Sequence, residues 1–149
     1  MIYLDNAATT KMYREAIEKM VEVEENYFAN TSSIHSFGMD SENLIKKSKN
    51  IMADAINAKE SEIFFTKGAS ESNNIIVSSF ASTDSKVVTT RIEHSSIYDT
   101  VMNNNYKEVV FLKNDKYGFI NLEDLKEKLD KDVKLVSIIY VNNEIGTVQ

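Results

Sequence analysis

Residues 62–90 read EIFFTKGASESNNIIVSSFASTDSKVVTT, and the spacing of their apolar side chains changes twice. EIFFT is an apolar run of strand length, GASESNNIIVSSFA is a helical segment opening on glycine, and KVVTT is a second strand-length run. Upstream the pattern is helical alone. Thr10 can cap a helix whose apolar positions Tyr13, Ile17, Met20, Val21, Tyr27 and Phe28 recur near helical spacing. A polar, hydroxyl-rich loop, ENYFANTSSIHSFG, leads to a second helix from about Met39 to Asn57. Downstream the alternation continues through SSIYDTVMN as helix, EVVFLK as strand, NDKYG as turn and NLEDLKEKLD as helix. Asn121 is the cap of that last helix, with Asp124 three residues on, and VKLVSIIYV is the final strand. Strands alternating with helices build a mainly parallel sheet with helices on both faces, joined by right-handed crossovers. The predicted class is therefore three-layer α/β, in which ligands gather at the C-terminal ends of the strands.

Composition sets the outer bounds. The 149 residues suffice for one compact domain with a core, and 42% hydrophobic content is ordinary for a globular protein. Lys and Arg number 17 against 23 Asp and Glu, and the formal charge of -6 argues against nucleic acid as a partner. The start, MIYLDNAATT, lacks a basic and then apolar leader, and no run approaches the ~20 apolar residues that span a bilayer. A cytoplasmic location without membrane contact is expected. With no cysteine, these residues hold no disulfide, no thiolate metal site and no thiol nucleophile, and His35 and His94 alone support no metal centre.

Three strand ends carry polar signatures. In FFTKGASESNN, Gly68, Ala69 and Ser70 lead straight from a strand into a helix. Free N–H groups and the helix dipole suit an anion there, although an ordinary capped helix has the same look. In VVTTRIEHSSI, Glu93 and His94 sit just past a strand, where an imidazole serves as acid/base, stacking surface or ligand, or simply as a structural side chain. In VNNEIG, an apolar strand breaks into amides. These can hold a charged organic cofactor without titrating, or shape a strand-to-loop turn. Together the three ends could line one crevice with a phosphate cradle, a planar partner and amide donors.

YLDNAATT, NTSSIHSFG, FFTKGASESNN, RIEHSS and VNNEIGTVQ, in this order and spacing from Tyr3 to Gln149, resemble the N-terminal part of the NifS/IscS-type cysteine desulfurases. These belong to the class V aminotransferase group of fold-type I pyridoxal phosphate (PLP) enzymes. The resemblance implies that residues 1–149 are the N-terminal, incomplete portion of the large cofactor-binding domain, with residues 1–15 packing against the small domain. It implies PLP as cofactor, its phosphate on Gly68, Ala69 and Ser70, its ring stacked on His94, which is also the catalytic candidate, and its 3-hydroxyl oxygen beside Asn143. Asn6, Ala7, Asn30 and His35 fall near the substrate entrance.

Two positions depart from the family pattern. Lys67 stands where a small residue is usual, and is read as a surface lysine or an added phosphate counter-charge. Thr31 stands where proline is usual. The resemblance further implies a pyridinium-pairing aspartate, a Schiff-base lysine in a Ser-x-His-Lys segment and a sulfur-accepting cysteine, all beyond these residues. The expected activity is conversion of L-cysteine to L-alanine and an enzyme persulfide, supplying sulfur for Fe-S clusters or other thio-cofactors, with this chain inactive alone. A homodimer and a sulfur-acceptor or scaffold protein are the implied partners. A selenocysteine lyase or aminotransferase of the same class, and a non-catalytic association fragment, are the alternatives.

Overall fold

The computed structural model describes residues 2–149. Where length suggested one compact domain, the chain forms two compact units, one running to Phe65 and one from Thr66 to Gln149. The first holds α1 (Arg14–Asn26), α2 (Ser36–Ile56) and a single 3-10 turn, Glu60–Glu62. The expected cap at Thr10 is not used. Helix α1 starts after Tyr13, whose side chain caps nothing, and exposed pairs such as Arg14 to Glu18 at 2.6 Å line its surface. Helix α2 opens earlier than expected because His35 Nδ1 accepts the Gly38 N–H at 3.4 Å. It ends where Asn57 turns left-handed at φ 55°, a conformation asparagine tolerates.

Gly38 has a packing role. A Cβ there would lie 2.4 Å from the Ser33 carbonyl oxygen and 2.8 Å from that of Asn30, so only glycine lets the NTSSIH loop lie against the helix. The strand expected at EIFFT does not form. Residues 63–66 are irregular, Phe64 and Phe65 are exposed, and no strand lies beside them among the described residues to complete a ladder.

The second unit carries the expected alternation: α3 (Ala69–Ser79), β1 (Lys86–Thr89), α4 (Ser95–Asn103), β2 (Glu108–Phe111), α5 (Leu122–Lys128) and β3 (Val133–Val136). The strands are parallel in the order β2-β1-β3, with Val87 opposite Val109 and Leu135. Central strand β1 is covered on both faces, which is why KVVTT reads as a continuous run rather than an alternation. Val87 packs with Val77 of α3 and Val101 of α4, and Ile97, Tyr106, Val109 and Leu135 close around them. This is the parallel sheet flanked by helices that the sequence predicted.

Two details differ from the sequence reading. Asn121 caps α5 as expected, its Oδ1 accepting from the Glu123 and Asp124 N–H groups, but Asp124 does not complete a reciprocal box. Its buried carboxylate instead takes Lys128 Nζ at 2.6 Å and the Lys113 N–H at 2.9 Å, holding α5 to the end of β2. The last strand is also shorter than VKLVSIIYV. One further bond, from the Ser137 N–H to the Val88 carbonyl at 2.9 Å, extends the ladder beyond Val136. The Ile139 N–H is then claimed by the Glu93 side chain and the backbone leaves the sheet.

Candidate active site

Strand β1 delivers the chain to a tight loop, Thr90 to Glu93, that ends at His94, the N-cap of α4. The Thr90 hydroxyl is buried and donates to Glu93 Oε1 at 2.8 Å. The same oxygen accepts the Ile139 N–H at 2.8 Å, from the stretch that follows β3. Burial pushes the Glu93 carboxyl above the ordinary carboxylate range, and the bonds from Ile139 and Thr90 oppose that shift without cancelling it.

A second tie runs the opposite way. Asn142, buried beyond β3, donates from Nδ2 to the Ile92 carbonyl at 2.9 Å. Its Oδ1 accepts the N–H groups of Glu144 at 2.9 Å and Ile145 at 3.1 Å. Glu93 thus reaches from the first loop to the second, and Asn142 from the second to the first. Between them lies a cleft of about 320 Å³, lined among others by Arg91, Glu93, His94, Asn143 and Glu144. Arg91 is held over the Phe111 ring, 4.3 Å from its centroid. Thr147 Oγ1 donates to the Tyr117 carbonyl, and Gln149 bonds both Ile120 and Gly118, so the far side of the Asn143 loop is tied to the turn before α5.

Gly68, Ala69 and Ser70 do not line that cleft. They open α3 in the same unit, with Gly68 at φ 156° and ψ 179°, a region that essentially only glycine occupies. Among the described residues, the N–H groups of these three donate to no protein acceptor, while Lys67 N–H is taken by Glu71. A Cβ placed on Gly68 would touch nothing within 4 Å, so the backbone is open to approach. This is an anion-competent helix start, and it fits the phosphate of PLP. A chain of side chains links it to the cleft: Asn73 Nδ2 of α3 donates to Ser96 Oγ at 2.8 Å, and Ser96 Oγ lies 2.8 Å from His94 Nδ1. Exposed Asn143 has no protein hydrogen bond among the described residues, leaving its amide free to serve an oxygen.

The remaining sequence candidates belong to the first unit. Asn6 and Ala7 lie in a turn whose Ala8 N–H bonds the Asp5 carbonyl, Asn30 Oδ1 accepts from the Ser32 N–H, and His35 caps α2. Sequence reasoning singled out Asn143 and His94, noted Glu93 and Asn142 only as their neighbours without a role, and passed over Asn73 and Ser96. The only available signal was adjacency to a candidate, in EH, NN and HSS.

Residues 2–149 match the family described as Aminotransferase class-V. The chain belongs to the class-V aminotransferase family. Among curated relatives, the NifS/IcsS protein homolog of Lactobacillus delbrueckii subsp. bulgaricus is 41% identical over all of this chain and 40% of its own length. Cysteine desulfurase IscS of Dictyoglomus turgidum is 39% identical over 99% of this chain and 39% of its own. A solved structure titled SspA in complex with cysteine superposes with a TM-score of 0.87 at 33% identity, over 96% of this chain and 43% of the other. The chain thus spans about 40% of the length of the curated relatives it matches. Its sheet and flanking helices are those of the NifS-like, fold-type I members of the family.

Proposed function

We propose that this chain is the cofactor-holding, N-terminal part of a PLP-dependent cysteine desulfurase, within the large domain of that fold. The observation that carries the reading is the cleft that His94 and Asn143 share, at the C-terminal side of parallel strands, joined through Ser96 and Asn73 to an unpaired helix start. Gly68, Ala69 and Ser70 would hold the phosphate, His94 the face of the ring, and Asn143 the 3-hydroxyl oxygen. When bound, PLP supplies the electron sink that lets bonds around the substrate α-carbon be broken. The cleft walls would shield one side of the ring from water, and the two ties between the loops would hold the segments that carry His94 and Asn143 together. L-cysteine is the proposed substrate, supported by the similarity to the cysteine desulfurase IscS of Dictyoglomus turgidum and to SspA in complex with cysteine, with alanine and a persulfide as products. The thiol that receives the sulfur must come from outside these 149 residues, which hold no cysteine.

Asn6, Ala7, Asn30 and His35 are proposed to border the substrate entrance, and residues 1–15 to pack with the small domain. A homodimer in the cytoplasm, serving a sulfur acceptor in Fe-S cluster assembly, completes the proposal. Helix α1 supports association, since none of its residues is buried although Ile17, Met20 and Val21 are apolar. No helix among the described residues is long and apolar enough to cross a membrane.

The test uses 4′-deoxypyridoxine 5′-phosphate, which lacks the aldehyde and so cannot react with surface lysines. Calorimetric titration should show binding that weakens in inorganic phosphate, in Ser70→Ala and in Asn143→Ala, and none for the unphosphorylated analogue. Equal binding of the two analogues would overturn the assignment of the cradle. The chain mixed with PLP and L-cysteine should release no alanine above the free-cofactor background.

A further inference from the structure

His94 does two jobs at one nitrogen. Its Nδ1 caps α4 by accepting the Ser96 N–H at 3.1 Å, and the Ser96 hydroxyl oxygen lies 2.8 Å from the same atom. A backbone N–H can only donate, so it demands that Nδ1 carry a lone pair and not a proton. The hydroxyl is ambivalent by itself; the backbone N–H on Nδ1 sets the ring, and the partner of the hydroxyl leaves its hydrogen available to reinforce that choice. Asn73 Nδ2, a donor, occupies one lone pair of Ser96 Oγ at 2.8 Å. The single hydroxyl hydrogen is then free to point at Nδ1, and both hydrogen bonds favour the same form of the ring.

We propose that Ser96, oriented by Asn73, is a positioning residue that fixes His94 in the tautomer with its proton on Nε2. The ring then presents an N–H donor, and not a lone pair, on its side away from the α4 cap. Asn73 stands on the helix whose first turn carries the phosphate cradle, so the tautomer is set by the same element that would anchor the cofactor. The catalytic meaning of this rests on the function proposed above. The tautomer itself does not, because it is a property of the cofactor-free chain.

The chain provides an internal comparison. His35 also caps a helix through Nδ1, but with one long bond of 3.4 Å from the Gly38 N–H, and among the described residues it has no side-chain partner at that atom. The two histidines of the sequence therefore differ in how firmly the tautomer is held.

The experiment is nitrogen NMR of the ring in chain labelled at histidine, with His35→Gln used to assign the signals. At a pH where both rings are neutral, His94 should show Nδ1 unprotonated and Nε2 protonated, with a smaller minor population than His35. Ser96→Ala removes the hydroxyl but keeps the backbone N–H, so the ratio of the two tautomers should fall about fivefold, the change expected for one net hydrogen bond. Asn73→Ala should move it in the same direction by less, and Ser96→Thr should restore it. Amide spectra of each variant report whether the fold is kept. Should Ser96→Ala fail to fold, the parent spectrum and Asn73→Ala still decide. A proton on Nδ1 in the parent, or a tautomer ratio unmoved by Asn73→Ala and Ser96→Ala, would overturn the proposal. Analogue titration of the parent is read separately: binding with a mixed tautomer rejects the lock and leaves the proposed function standing, whereas a single tautomer without binding does the reverse.

Discussion

Replacing Asn142 by alanine should dismantle the loop that presents Asn143. The side chain is 6% exposed and makes three bonds, two accepted from the Glu144 and Ile145 N–H groups and one donated to the Ile92 carbonyl. Each net bond contributes about 1 kcal/mol, and a buried partner left alone costs somewhat more. Glu144 and Ile145 are exposed and their amides regain water, whereas Ile92 is half-buried, so the expected loss is about 2–3 kcal/mol. Against a urea slope of ~1–3 kcal/mol/M, the unfolding midpoint should fall by about 0.7–3 M. Asn142→Asp sharpens the test. Its carboxylate still accepts from Glu144 and Ile145 but turns an oxygen toward the Ile92 carbonyl, so it should be as damaging at neutral pH. It should recover part of the loss on acidification, when a protonated oxygen can donate. A midpoint for Asn142→Ala within about 0.2 M of the parent would show that the two loops hold their spacing without this side chain.

Other substitutions probe the neighbouring features. Burial raises the Glu93 carboxyl above its free value of 4.5, so the folded chain holds that proton more tightly than the unfolded chain does. The contribution is full below that pH and is lost as pH rises through the folded value. Thermal unfolding of Glu93→Gln should therefore gain on the parent over that window, and a constant difference would contradict the burial argument. Asp124 behaves with the opposite sign: its carboxyl is lowered first by Lys128 and then by the Lys113 N–H, so its support is present above its free value and lost on acidification. Asp124→Asn should flatten the acid limb of the stability curve, read by circular dichroism. Gly38→Ala forces a methyl group onto two carbonyl oxygens of the backbone and should cost about 1–3 kcal/mol. Faster amide exchange should then appear from Asn30 to Gly38, and exchange unchanged there would mean that the loop moves aside freely.

Much of the second unit was legible because its helices and strands are marked by local chemistry. Asn121 caps α5 where the sequence placed a cap, and the run KVVTT is buried on both faces as its composition implies. EIFFT misled because a strand is defined by its neighbour, and apolarity alone does not supply one. The overlong final strand failed for a related reason: nothing in SIIYV announces that a glutamate 46 positions earlier will take the Ile139 N–H. His94 and Asn143 could be picked out by residue type at strand ends. Glu93, Asn142, Asn73 and Ser96 could not, since each acts through a partner distant in sequence or through a shared proton.

The two ties between the loops join residues 46 and 50 positions apart, whereas the caps that start α4 and α5 join neighbours. Closing a chain segment of that length carries an entropic cost that helix starts escape, and contacts of large sequence separation form late on a folding pathway. The cleft is consequently expected to form no earlier than the β1–β3 pairing, whose partners lie 47 and 48 positions apart. A collapsed chain can possess every helix, and even the β1–β2 pair, while lacking any place for a ring to bind. A ligand gripping both loops would act on the unfolding rate more than on the folding rate, and its grip would be measured in the lifetime of the closed state.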